Sequence, residues 1–324
     1  MGNTHYSRFI TGVLFVILVA GIPLVIKNPY LITVGILIGF NALIVMGLSL
    51  LMGYAGQVSM GQAAFSGIGA YVSAILSMKL GVNPWLAMIL GALLSALMAA
   101  LLGVVVLKLE GHILAVSTLA FAIMLFTVVE KWTSLTGGTD GMPGVPGLSI
   151  AGLPLTSDVH YYYLFWSFLL VILAFSINVV NSRMGRALRS IHPFAGGSQM
   201  AAESLGVPPM KYKLQVFMLS AVYASLAGSL YAHWMNLVNP SICGLHASLV
   251  PLMVVTIGGL GSLWGSIIGA AVCVIAGEGF RALIPLLIPG SYGAYEIIAW
   301  GVLLILVLQF LPRGLVSIPA RLKG

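Results

Sequence analysis

The chain has 324 residues, 60 % of them hydrophobic and only 6 % charged, with a formal net charge of +7. Soluble domains carry about a quarter charged residues, so a soluble fold is excluded and a membrane protein is indicated. Continuous apolar runs such as residues 85–107 also exclude a transmembrane β-barrel, whose strands alternate.

In chain order the apolar runs predict ten helices. The first, at 9–26, follows Arg8; it is long for a signal-peptide core and lacks a small-x-small cleavage site before Lys27, so it is expected to be retained. Lys27-Asn28-Pro29 breaks it, and a second run follows at 30–52. Residues 53–62, GYAGQVSMGQ, would leave backbone groups unsatisfied against lipid, so they are expected as a loop or broken helix buried in protein. A third run, 63–78, carries Gly67, Gly69 and Ala70, small residues that favour close helix contact. Asn83-Pro84 starts the fourth at 85–107, and Lys108, Glu110 and His112 separate it from the fifth at 113–129.

Residues 136–160 form a Gly/Pro loop with Asp140 and Asp158 and no Lys or Arg. The sixth run, 161–180, opens with three tyrosines and Trp166, amphipathic rings suited to a membrane–water interface. The seventh is 214–235 and the eighth 249–257, with some extension upstream; GGLGSLWG at 258–265 is a second glycine-rich break before runs at 266–280 and 294–311. Runs three and eight are short enough to be re-entrant or broken. The matching breaks Gly53-x-x-Gly56 and Gly258-x-x-Gly261 hint at an internal repeat of the kind transporters use. The expected fold class is an all-α polytopic membrane protein of about ten transmembrane or broken helices, a single domain over 1–324.

Charge orients these helices. Residues 181–213 hold Arg183, Arg186, Arg189, Lys211 and Lys213 against one acid, Glu203. Lys and Arg concentrate in cytoplasmic loops, which places this loop and, by the even helix count, both termini inside, with 136–160 outside. Orientation and contact with lipid headgroups account for the positive charge without a nucleic-acid partner. Cys243 and Cys273 fit neither a metal site nor a disulfide framework and read as small buried hydrophobes.

Inside the basic loop, Gly196-Gly197, a Ser198 N-cap, and a stop at Gly206 and Pro208-Pro209 bracket QMAAESL at 199–205, about two helical turns. Two turns are unstable alone, so this helix needs support from its own bundle or from a partner. Ala201, Ala202 and Leu205 offer a small apolar patch that a groove accepts.

The stretch 185–206, GRALRSI followed by MAAESLG, resembles the cytoplasmic loop of ABC importer permeases, whose Ala-Ala/Gly signature forms the coupling helix. GYAGQVSMGQAAFSGIGAY at 53–71, SLTGGTDGM at 134–142, GGLGSLWGSIIGA at 258–270 and PRGL at 312–315 resemble the LivM-type permease of branched-chain amino acid ABC transporters. The resemblance covers nearly the whole chain and implies the ABC importer permease fold in a bacterial inner membrane. It implies ATPase coupling through Gln199, Ala201, Ala202, Glu203, Leu205 and Gly206. It also implies partners: a LivH-like second permease, two LivG/LivF-like ATPases and an external substrate-binding protein. Two departures stand out: Gln199 where many relatives carry an acid, and extra length at 193–196.

No Gly-x-x-x-x-Gly-Lys-Ser/Thr loop occurs, so ATP is expected to be used by partners; no cofactor, metal or catalytic residue is expected in this chain. Asn41, Ser49, Gln57, Ser59 and Gln62, polar residues among glycines, are the candidates for a translocation pathway, although close helix packing explains the same glycines and is the favoured reading. Glu278 and Arg281, three apart, are expected to pair at a membrane edge. Glu110, His112, His233 and Glu296 lie between or near the ends of runs and read as interfacial. The alternatives are a urea or short-chain amide ABC permease, a self-sufficient secondary transporter, and a membrane-embedded enzyme. The last would need a cluster of acids or histidines, and seven scattered acids do not supply one.

Overall fold

The computed structural model describes residues 15–17, 19–25, 28–109, 111–150, 152–192, 197–287, 294–310 and 314–317. Two Asn-Pro pairs set helix starts by the same chemistry. The side-chain oxygens of Asn28 and Asn83 accept from the amides of Tyr30 and Trp85 at 3.0 and 2.9 Å, while proline fills the first helical position, where no N–H is needed. They open α1 (Pro29–Gly53) and α3 (Pro84–Val106), with α2 (Gln62–Lys79) between them.

Helix α4 (Gly111–Lys131) and the single turn α5 (Thr133–Thr136) lead into the acidic loop, where Ser149–Ile150 pairs antiparallel with Leu153–Pro154. Then α6 (Asp158–Asn181) crosses to the basic end, which holds α7 (Arg183–Ile191) and α8 (Gln199–Ser204). Helix α9 (Pro209–Met235) returns, and Met142 and Pro143 pair with Val238 and Leu237, tying the acidic loop to the chain beyond it. The order ends with α10 (Leu245–Gly258), α11 (Leu263–Leu287) and α12 (Ala294–Phe310).

Among the described residues, α1, α3, α4, α6, α9 and α11 are long and apolar enough to cross a bilayer. The eighth run is longer than its apolar core suggests, yet at 14 residues α10 reaches only about 21 Å, short of the ~30 Å hydrocarbon layer.

Helix α9 is the centre, packed against α1, α2 and α3. Its seam with α2 is built from small residues, so that backbones touch. A Cβ on Gly228 would strike the Ser66 carbonyl oxygen, and one on Gly69 would strike that of Ser225; Ser229 Oγ donates to the Gly69 carbonyl at 2.9 Å. The large apolar side chains of α3 face the other way: Leu93, Leu97 and Leu101, four apart on one stripe, are exposed as lipid-facing residues should be.

Of the aromatic cluster opening α6, Tyr161, Tyr162 and Trp166 are buried in the protein with each polar tip bonded to a carbonyl, while Tyr163 stays exposed. Tyr161 donates to His233 at 3.0 Å, Tyr162 to Val19 at 3.0 Å, and Trp166 Nε1 to Gly35 at 3.2 Å. His233, two residues from the end of α9, is wholly buried. Its Nδ1 lies 2.7 Å from the Pro146 carbonyl, which can only accept, so Nδ1 carries a proton, and Nε2 lies 2.7 Å from the Ser73 hydroxyl.

The α2–α9 seam yields a test. Gly228→Val should cost about 1–3 kcal/mol or more by forcing the helices apart, and lower the thermal unfolding midpoint of the purified chain. Gly279→Ala, with open space around its Cβ, should leave the midpoint unchanged or raise it.

Candidate coupling segment and translocation cleft

The basic end is tied to the bundle by its own charges. Ser182 caps α7, accepting from the Met184 amide at 3.1 Å, and Gly185, Leu188 and Ile191 form the buried face of that helix. Arg189 donates to the Val180 and Gly185 carbonyls at 3.0 and 3.3 Å and Arg186 to that of Asn181 at 3.3 Å, so two arginines cover the exposed carbonyl end of α6. His192 then reaches into the first glycine break. Its Nε2 donates to the Met52 carbonyl at 3.3 Å, and its ring covers Gly56, which has φ +66°.

Helix α8 starts at Ser198, whose Oγ accepts from the Ala201 amide at 3.4 Å, and ends before Gly206, at φ +79°. The Ser198 amide donates to the Ser190 carbonyl at 3.0 Å, anchoring α8 on α7. Gln199 is a two-way bridge: its oxygen accepts from Lys213 Nζ at 2.8 Å and its amide donates to Glu203 at 3.2 Å. The expected apolar patch is rearranged. Ala202 is buried against the chain's own bundle, while Met200, 79 % exposed, joins Ala201 and Leu205, 84 % exposed, on the outer surface. The extra length at 193–196 lies outside the described residues.

The two glycine breaks meet. A Cβ on Gly53 would collide with the backbone of Gly261, itself at φ +76°, and Ser49 Oγ donates to the Ser262 carbonyl at 3.4 Å. Of the other candidate pathway residues, Ser59 accepts from the Gly61 amide at 3.3 Å, and Gln62 donates to Ser220 at 2.9 Å. Ser49, Gln57, Ser59 and Gln62 are all buried, and the side-chain oxygens of Gln57 and Gln62 find no partner among the described residues. Asn41, in the middle of α1, differs by lining a cavity.

That cavity is a cleft between α1, α9, α10 and α11, with two adjoining lobes of about 420 and 330 Å³ that share Leu37, Asn41, Tyr231, His246, Val250 and Arg281. The larger lobe reaches Asn239 and Ser241 on one side and Ala63 and Ser66 at the start of α2 on the other. Ser66 Oγ is buried with no partner among the described residues. In the smaller lobe Arg281 bonds Glu278 at 3.1 Å, the pair expected from spacing, and the other Glu278 oxygen accepts from the Tyr30 hydroxyl at 2.7 Å. Cys243 lies outside the cleft lining as a buried free thiol, and burial pushes it up to about 12. Glu110 and the Glu296 side chain lie outside the described residues.

Sequence reasoning missed Met200, His192 and the cleft role of Glu278 and Arg281. An opposite-charge pair inside an apolar run was the available signal for the last two.

A helical bundle with spanning helices, glycine-broken junctions and an apolar-walled cleft with a few polar groups defines a multi-pass membrane permease. Residues 30–308 match the family described as branched-chain amino acid transport system / permease component, and the chain belongs to that family. It is 30 % identical over 303 residues to the high-affinity branched-chain amino acid transport system permease protein LivM of Salmonella typhimurium, covering 86 % of this chain and 67 % of that protein. For LivM of Escherichia coli K12 the identity is 28 % over 332 residues, with 92 % and 74 % covered. The permease protein LivH of the same organism is 26 % identical over 298 residues, with 86 % and 91 % covered. No solved structure gives a significant match.

The Gln199–Lys213 bond generates a prediction about α8. Hydrogen bonds to charged groups contribute about 1.5–3 kcal/mol, so Gln199→Ala should raise amide hydrogen exchange at Ala202 and Leu205 roughly tenfold or more. Gln199→Glu, which keeps the acceptor, should retain most of the protection. Equal protection in wild type and Gln199→Ala would remove this bond as the anchor.

Proposed function

We propose that this chain is the membrane-spanning subunit of an ATP-driven ABC importer for branched-chain amino acids, working in a bacterial inner membrane. The supporting observation is α8: a capped two-turn helix, seated on its own bundle by Ala202 and Lys213, that holds Met200 and Leu205 out into solvent. Large apolar side chains in that position suit a protein groove, and on this reading the groove belongs to an ATPase subunit.

In this scheme the 181–213 loop and both termini are cytoplasmic and the 136–160 loop is external. A second permease of the same fold completes the pathway, two ATPases dock on the coupling helices, and an external binding protein delivers the solute. The matches to both LivM and LivH favour a pair of related permeases. The chain needs no cofactor of its own and binds no nucleic acid. ATP-driven movement of the ATPases displaces α8. The displacement passes through α7 and His192 to the Gly53–Gly261 junction, where α1 and α11 can part below the cleft. Coupling follows if the ATPases bind the two arrangements with different free energies.

The test is copurification and transport. Met200→Asp with Leu205→Asp should abolish copurification of the ATPase subunits and lower ATP-dependent leucine uptake into vesicles more than tenfold, with the chain's own thermal midpoint unchanged. Uptake by this subunit alone, driven by an ion gradient without ATP, would instead establish a secondary transporter.

A further inference from the structure

We infer, resting on the reading of the chain as an amino-acid permease, that the cleft is the permease's own substrate subsite, in which Arg281 takes the amino acid's carboxylate and Glu278 its ammonium. A free amino acid carries both charges, and moving either into an apolar bundle unpaired costs many kcal/mol. A fixed cation and a fixed anion within one molecule's length of each other meet both charges at once. Glu278 and Arg281 supply this one helical turn apart, in a chain that has only seven acids in all.

The geometry suits each role. The Arg281 side chain is 60 % exposed and presents a planar fork matched to a carboxylate. Glu278 is 21 % exposed and steadied by Tyr30, and its two oxygens offer about four acceptor positions, more than its bonds to Arg281 and Tyr30 take up. Beyond the pair, Leu37, Val250 and Val254 give apolar walls for a branched side chain. The lobe volumes fall in the range of small-molecule sites. At the far side, the partnerless buried hydroxyl of Ser66 is a polar group that a ligand or its water would satisfy. Stability offers a weak reason for the pair, since an i,i+3 ion pair contributes only about 0.2–0.5 kcal/mol.

The experiment uses the full importer in vesicles with its ATPases, second permease and binding protein, and reads leucine uptake. Arg281→Gln and Glu278→Gln should each lower the maximal rate at least tenfold, with ATPase copurification unchanged. The double exchange Glu278→Arg with Arg281→Glu preserves an ion pair but reverses it, and should stay as slow. Single variants within twofold of wild type, or recovery in the exchanged pair, would overturn the subsite. Wild-type importer that moves no branched-chain amino acid would instead overturn the proposed function. If the charge variants fail to assemble, a Val250→Cys chain decides the matter through maleimide labelling. Millimolar leucine should slow labelling more than isoamylamine or 4-methylpentanoate, each of which lacks one charge; no protection by leucine would equally sink the assignment.

Discussion

The constraint on which the structure depends is that backbone groups freed where a membrane helix ends in a glycine-rich break must be covered by other protein. This chain breaks twice, after Gly53 and after Gly258, and it lays the two breaks against each other. The contact is backbone to backbone, with no room for a Cβ on Gly53 against Gly261, or on Gly314 against Gly259. Three elements distant in sequence are thereby brought together, and the ends of α1, α10 and α11 are fixed at one level of the bundle. The cleft lies further along these helices, where Leu37, Asn41 and Val250 line open space.

The same junction explains how the basic end is held. His192 spends a ring nitrogen on the Met52 carbonyl, a group left over at the frayed end of α1. On the proposed reading, a push on α8 is felt in two places. One path runs from Ser198 through α7 and His192 to the first break; the other runs from Gln199 through Lys213 into α9, the helix against which α1, α2 and α3 pack. Glycine at the junction serves this well, since no side chain has to be dragged past another when α1 and α11 separate.

Much of this was legible in the sequence, and what was not has physical causes. Helix ends were readable where the signal is local: Asn28-Pro29, Asn83-Pro84, Ser198 and Gly206 act within a few residues of themselves. The need to bury 53–62 was equally readable, because an amide- and glycine-rich stretch has nowhere else to go. Facing was not readable. In a soluble protein the apolar side is the inside, but here α3 is apolar all round and its largest side chains point outward, so periodicity loses its meaning. The apolar patch of Ala201, Ala202 and Leu205 divides, with Ala202 inward and Met200 joining the outer side, for a related reason: a two-turn helix has too few residues for composition to show which side rests on the bundle. The burial of Tyr161, Tyr162 and His233 was not readable either, because the carbonyls they bond belong to residues up to 143 positions away.

Gln199 stands where the resemblance to ABC permeases implies an acid, and the geometry shows what an amide does there. Lys213 is buried and needs an acceptor, a demand that a carboxylate at 199 would also meet. Glu203, one turn further along α8 and exposed, accepts from the Gln199 amide, and a second carboxylate four residues before it would repel it by about 0.2–0.5 kcal/mol. A side chain with an acceptor and a donor on the same carbon reaches both neighbours at once. The amide therefore joins the cation under the helix to the anion upon it, and α8 keeps its seat without an acid at that position.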